Sequence, residues 1–256
     1  MDLEKIEKSK IYDLGQSFSD KMPILDPRNA RYFYGLYRHH TNTTAPLYFS
    51  SGLISLSDHI GTHIDALCHV SQDGKLHNDI RVAPEVETPW GYLELGAEKI
   101  PPLLRPGVLL DIARYKGLDV LPKGYEVSSN DLRGFCEQNN ITIEKGSVVL
   151  VRVGNGKYWS EPEKYLACAG IAEESNMWLS KSGVVAVGAD NLAWDLLEGH
   201  LAGHRHLIVE KGIYVMENLY LEELSSDSCY KFLFIALPLK LIGATGSPIR
   251  PIALKT

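Results

Sequence analysis

Short apolar runs set between glycines, prolines and polar turns dominate this chain. Val148-Val149-Leu150-Val151-Arg152-Val153 stands between Gly146 and Gly154, and Val184-Val185-Ala186-Val187 runs into Gly188-Ala189-Asp190. Apolar runs of this length, bounded by turn residues, read as buried strands. Gly107 to Ile112, Ile213 to Asn218 and Tyr230 to Leu237 read as strands too, and Ser51 to Ser57 alternates as a strand does. Three stretches read as helices. Ser128-Ser129-Asn130-Asp131 opens the first like a capping box, with Asp131 in the place of the usual Glu, and Leu132, Phe135 and Cys136 share a face. Glu173 to Ser180 is the second and ends before Gly183; His204 to Lys211 is the third and stops at Gly212. The first fifty residues are expected to be loop-rich, and the tail Gly243 to Pro251 a glycine- and proline-rich loop. Strands interleaved with helices predict an α/β fold. Several connections are too short for a helical crossover, so the sheet is expected to be mixed. No repeat, linker or low-complexity segment breaks the chain, which predicts a single domain over 1–256.

Composition narrows the partners. The 256 residues are 45% hydrophobic and 23% charged, which is ordinary for a globular chain. A net charge of -6 and the absence of a basic run argue against nucleic acid. No segment reaches the roughly 18 continuous apolar residues of a membrane span. The opening MDLEKIEKSK lacks a signal-peptide apolar stretch. Cys68, Cys136, Cys168 and Cys229 form no CxxC pair, which predicts free thiols and a cytoplasmic location.

The chemistry concentrates in Ser57-Asp58-His59-Ile60-Gly61-Thr62-His63-Ile64-Asp65-Ala66-Leu67-Cys68-His69. Three imidazoles and a carboxylate in so few residues suit a divalent metal such as Zn²⁺ or Mn²⁺. Gly61-Thr62 permits a tight turn between His59 and His63. His63 and Asp65, two apart, share one face of an extended segment. Cys68 is read as a packed apolar residue. Glu217, in an otherwise apolar strand, is costly unless paired or bound to a cation. His200, His204 and His206 compete for a further ligand position; on a helix His204 and His206 point about 200° apart, so at most one faces the site.

These donors exceed the three protein ligands of one catalytic zinc. Either two ions share Asp65 and Glu217, or one ion is bound and spare residues handle protons. A bound metal lowers the pKa of water toward about 7 and polarises a carbonyl. His69, the ligand-like residue furthest from His59, His63 and Asp65, is the candidate acid–base. No GxSxG elbow or phosphate loop offers rival chemistry; Gly154-Asn155-Gly156-Lys157 reads as a turn.

The run His59-Ile60-Gly61-Thr62-His63-Ile64-Asp65-Ala66-Leu67-Cys68-His69 resembles the His-x-Gly-Thr-His-x-Asp-x-Pro-x-His hallmark of the metal-dependent cyclase superfamily, which contains bacterial kynurenine formamidase and isatin hydrolase. Leu67 stands at the proline position. Val108-Leu109-Leu110-Asp111, Val149 to Arg152, Val187 to Asp190, Val215 to Leu219, Leu237 to Lys240 and Gly246-Ser247-Pro248 resemble further family blocks in the same order. The resemblance implies a swivelling β/β/α arrangement and a homodimer whose N-terminal segments reach the neighbouring site. It implies His59, His63 and Asp65 on a first metal, and Asp65, His204 and Glu217 on a second, with His206 in reserve. His69 is implied as the acid–base residue. The implied activity is metal-dependent hydrolysis of a non-peptide C–N bond in a small molecule, an aryl formamide or a cyclic amide such as isatin. A cyclase, dehydratase or lactonase is the alternative, and a non-catalytic metal-binding protein a further one. Pro23-Ile24-Leu25-Asp26 stands where the formamidase branch carries a tryptophan. Tyr34 and Tyr37, in the aromatic run Tyr32 to Tyr37, are therefore expected to contact substrate, with Trp90, Trp178 and Trp194 as further pocket residues.

Overall fold

The computed structural model describes residues 6–25, 32–196 and 201–255. Fifteen strands follow in chain order: β1 (Ile11–Asp13), β2 (Tyr32–Arg38), β3 (Ser51–Leu56), β4 (His63–Asp65), β5 (Glu87–Thr88), β6 (Gly91–Tyr92), β7 (Leu103–Asp111), β8 (Glu126–Val127), β9 (Val148–Arg152), β10 (Gly170–Ile171), β11 (Ala186–Ala189), β12 (Tyr214–Glu217), β13 (Lys231–Ala236), β14 (Gly246–Pro248) and β15 (Ile252–Leu254). Nine of them form one sheet in the order β1-β15-β13-β7-β9-β11-β12-β4-β14. β7, β9, β11 and β12 run parallel, and the flanking pairs are antiparallel. The fold is α/β with a mixed sheet, as the short connections predict.

The central strands read as unbroken apolar runs because both their faces are covered. On β9, Val148 and Leu150 pack into one apolar layer with Ile64, Met216 and Phe234, whereas Val149 and Val151 face the other. Helices α1 (Ser129–Gln138) and α2 (Glu173–Lys181) cover that second face with Leu132, Phe135 and Leu179. The capping box forms: the Ser128 hydroxyl accepts the Asp131 N–H at 3.2 Å, and the Asp131 carboxylate accepts the Ser128 N–H at 3.0 Å. Cys136 is only half-buried. Among the described residues no helix is long and apolar enough to cross a membrane.

Three elements differ from the sequence reading. The tail is not wholly a loop, because Gly246, Ser247 and Pro248 pair with Asp65, Ile64 and His63. Composition hides this strand, but at the sheet edge Pro248 forfeits no inner ladder bond. The third helix begins as Ala202–His204 and widens into a π-helical turn over Arg205–Glu210, ending before Gly212 at φ 64°. The aromatic stretch is not the loop that a loop-rich opening predicts. It is β2, paired with β3 as a two-stranded ribbon exposed along most of its length. Asp26-Pro27-Arg28-Asn29 and His200 lie outside the described residues.

Candidate metal centre

The sheet assembles the site at its β12–β4–β14 end. Alternation along β4 turns His63 and Asp65 to the same side, and cross-strand pairing sets Glu217 of β12 opposite His63. His59 precedes a turn at Gly61, where a φ of 64° favours glycine and an added Cβ would stand 2.4 Å from the Phe18 ring. The His69 N–H donates to the Ala66 carbonyl at 2.9 Å, folding His69 back after β4. His204 enters from the helical turn.

His59 Nδ1 lies 2.9 Å from Asp65 Oδ1 and His63 Nε2 3.5 Å from the same oxygen. His63 Nε2 is also 3.5 Å from Glu217 Oε2. His204 Nε2 approaches Glu217 Oε1 at 3.1 Å and Asp65 Oδ2 at 3.5 Å. Two overlapping sets result, each with its donor atoms within 4.8 Å of one another: His59, Asp65 and His69, and Asp65, His204 and Glu217. The second set is the one the resemblance implies. In the first, His69 stands beside His59 and Asp65, while His63 sits between Asp65 and Glu217.

Among the described residues, eight buried side-chain polar atoms lack a hydrogen-bond partner, and five are here: His59 Nδ1, His63 Nε2, both Asp65 oxygens and Glu217 Oε1. Such orphans are rare in a native interior. Their opposite ring nitrogens are held from outside. His63 Nδ1 donates to the Gly61 carbonyl at 2.9 Å, and His204 Nδ1 donates to Asp195 at 2.7 Å. These bonds keep the proton on Nδ1 and turn Nε2 of each ring inward, where the neutral ring would offer its lone pair to a cation, the arrangement of metal-binding histidines. The donors therefore fit a divalent cation.

The charges point the same way. Burial opposes ionisation of Asp65, but His69, His204, His59 and His63 outweigh it and hold the carboxyl well below its usual range. Burial pulls His63 down, yet Asp65 and Glu217 lift it to about 9; His204 is raised well above its usual value by Asp195, Asp65 and Glu217 against the same burial. Two buried carboxylates draw positive charge into this place. Burial depresses His69 to about 4, so its ring is neutral. The ring stacks on His59 with centroids 3.9 Å apart.

A cavity of about 180 Å³ ends on His59, His69, His204 and Glu217, and its walls include Pro23, Ile24, Leu25, Ile60, Leu192 and Leu201. These walls are aliphatic. Tyr34 and Tyr37 stand on the ribbon, and the single chain does not bring them to this cavity. Trp90 is exposed; Trp194 is buried, with its indole N–H donated to Asn176 at 2.8 Å; Trp178 stacks near Arg133; none lines the cavity. His206, the reserve choice, turns away to Ser180 and Glu210, whereas His204, the first choice, faces Asp65 and Glu217. Cys68 is buried with its thiol pushed up to about 12 by desolvation, as packing requires. None of the four cysteines forms a disulfide.

Sequence reasoning missed the supports around these rings. Asp195 carries no motif; its carboxylate accepts the Gly203 and His204 N–H groups as well as the His204 ring. Asn218, with φ 57°, follows Glu217 directly; its amide donates to the Gly61 carbonyl and accepts the Tyr165 hydroxyl. An asparagine after a strand-end glutamate was the one local signal, since Asn tolerates the left-handed region.

The family described as "Putative cyclase" matches residues 12–196. Kynurenine formamidase of Bacillus cytotoxicus is 30% identical over 204 residues, covering 78% of this chain and 78% of its own. Among solved structures, one described as a novel cyclase superposes with a TM-score of 0.90 at 27% identity, over 99% of this chain and 89% of that one. Isatin hydrolase A of Labrenzia aggregata, bound to benzyl benzoate, shares the fold with a TM-score of 0.76 at 21% identity, over 99% and 97%.

Proposed function

The chain belongs to the cyclase family, and from that premise we propose that it is a metal-dependent hydrolase of a non-peptide C–N bond, in an aryl formamide or a cyclic amide such as isatin. The observation that carries the reading is the ring of unpartnered donors at the cavity floor, each histidine among His59, His63 and His204 being hydrogen-bonded from behind. His59, His63, Asp65, His204 and Glu217 hold one or two ions of Zn²⁺ or Mn²⁺, both matched by imidazole and carboxylate donors. When bound, such an ion supplies an activated water and polarises the substrate carbonyl. The aliphatic walls exclude bulk water and seat the apolar part of the substrate. His69, at the cavity wall, accepts the proton of the attacking water on a ring nitrogen and returns it to the departing nitrogen.

The test is a substrate panel with product analysis by mass. Protein loaded with Zn²⁺ or Mn²⁺ is expected to release formate from N-formylkynurenine or to open isatin to its ring-opened acid. Consumption of an aryl lactone with both amides untouched under either metal overturns the C–N reading.

The second chain is the partner we assign to the ribbon. A two-stranded ribbon is marginal alone, yet Phe33, Tyr34, Leu36, Tyr37, Leu53 and Ile54 are all exposed on it. We place the substrate contact of Tyr34 and Tyr37 across that homodimer. Light scattering should give about twice the chain mass of 28.5 kDa. Ile54→Asp, on the face shared with Tyr34, should shift the protein toward monomer; a monomeric wild type ends this reading. Four cysteines outside any disulfide accord with a cytoplasmic location.

A further inference from the structure

We propose that Thr245 is a positioning residue which, backed by Asp58, fixes the ring nitrogen that His59 offers to the metal. The inference rests on the metal reading above. Three observations carry it. The Thr245 hydroxyl donates to Asp58 Oδ2 at 2.7 Å, and the Thr245 N–H donates to the same oxygen at 3.1 Å. His59 Nε2 lies 2.8 Å from Thr245 Oγ1. The backbone of Gly246 lies so close to the imidazole that an added Cβ would stand 2.8 Å from His59 Cε1.

A hydroxyl has one proton to give. An ionised carboxylate only accepts, so the Thr245 proton goes to Asp58 and Thr245 Oγ1 faces His59 as an acceptor. His59 Nε2 must then carry the ring proton, and the Asp58 carboxylate, 3.9 Å from that nitrogen, favours the same choice. Nδ1, on the side of the ring that faces Asp65, is then the nitrogen left to offer a lone pair to a cation. His63 and His204 present Nε2 inward instead, so His59 needs its own device. The carboxylate–hydroxyl–imidazole chain supplies it, in the manner of the outer partners that orient metal ligands. The closeness of Gly246 keeps the ring from rotating out. This gives the tail a role in the site that its composition does not suggest.

The probe is Zn²⁺ alone, measured by competition with a chromophoric chelator. Thr245→Val, which keeps the shape and removes the hydroxyl, should weaken Zn²⁺ binding about 10- to 100-fold, and Thr245→Ser should restore it to within about threefold. In the Zn²⁺-loaded wild type, ¹⁵N imidazole spectra should show His59 protonated at Nε2. Unchanged Zn²⁺ affinity in Thr245→Val, or a His59 ring protonated at Nδ1, overturns the proposal. If Thr245→Val unfolds, the serine variant and the wild-type spectrum decide. A wild type that binds neither Zn²⁺ nor Mn²⁺ sinks the metal reading itself, whereas a wild type that binds while Thr245→Val matches it sinks only this inference.

Discussion

Asp65→Ala is expected to abolish turnover and to weaken divalent-metal binding by at least about 10³-fold, beyond the roughly 10- to 100-fold seen when an outer partner is lost. Asp65 is the one residue shared by both donor sets. Its oxygens face His59, His63 and His204, and both lack a hydrogen-bond partner. Removing it leaves Glu217 as the only carboxylate of the proposed ligand set, which loses the residue common to both donor groups. The effect reads out in stability as well as in rate. At a metal concentration 1,000 times the wild-type Kd, binding stabilises the folded protein by about 4.1 kcal/mol, whereas a variant binding 10³-fold more weakly gains only about 0.4 kcal/mol. Thermal unfolding with and without Zn²⁺ should therefore show a large shift for the wild type and almost none for Asp65→Ala. The variant should behave as chelator-treated wild type does in the activity assay. His206→Ala serves as the control, because that ring bonds Ser180 and Glu210 outside the site and should leave both readings unchanged. An Asp65→Ala protein that keeps the Zn²⁺-induced shift refutes the assignment of Asp65 as the central ligand.

The candidate ligands on β4 were legible because their spacing follows strand geometry: residues two apart face one way, and His63 and Asp65 do. Glu217 was legible for a thermodynamic reason, since a carboxylate in an apolar strand needs a compensating partner. His204 could not be separated from His206 by spacing alone. The π-helical turn that carries His206 off toward Glu210 is invisible to a 3.6-residue period. β14 escaped because glycine and proline disfavour strands, while its reason for being extended lies in Asp65 and His63 across the ladder. Asp195 and Thr245 escaped for the same kind of reason. Their partners are 9 and 186 residues away, and nothing local marks a hydroxyl or carboxylate that will meet an imidazole. The aromatic run shows the converse limit. Its density announced a contact surface, but periodicity does not tell an inner wall from a ribbon facing outward.

His69→Ala is expected to lower kcat by about 10²- to 10⁴-fold, the usual worth of a general acid–base residue, with metal binding retained. The geometry admits a rival, because His69 has a donor atom within 4.8 Å of donor atoms on His59 and Asp65 and so could be a ligand. The outer hydrogen bonds separate the two roles. His59 meets Thr245, His63 meets Gly61 and His204 meets Asp195, each fixing one ring nitrogen. No described residue hydrogen-bonds the His69 ring in this way; it is held by stacking on His59 and opens to the cavity. A ligand ring gains from being locked in one tautomer, whereas an acid–base ring must take a proton and give it up within a turnover, which a locked tautomer hinders. His69→Ala protein should therefore keep its Zn²⁺-induced thermal shift and regain part of its rate when imidazole is added to the assay. A variant that loses Zn²⁺ along with activity would move His69 into the ligand set, and the proton would then have to pass through the open side of the cavity rather than through this ring.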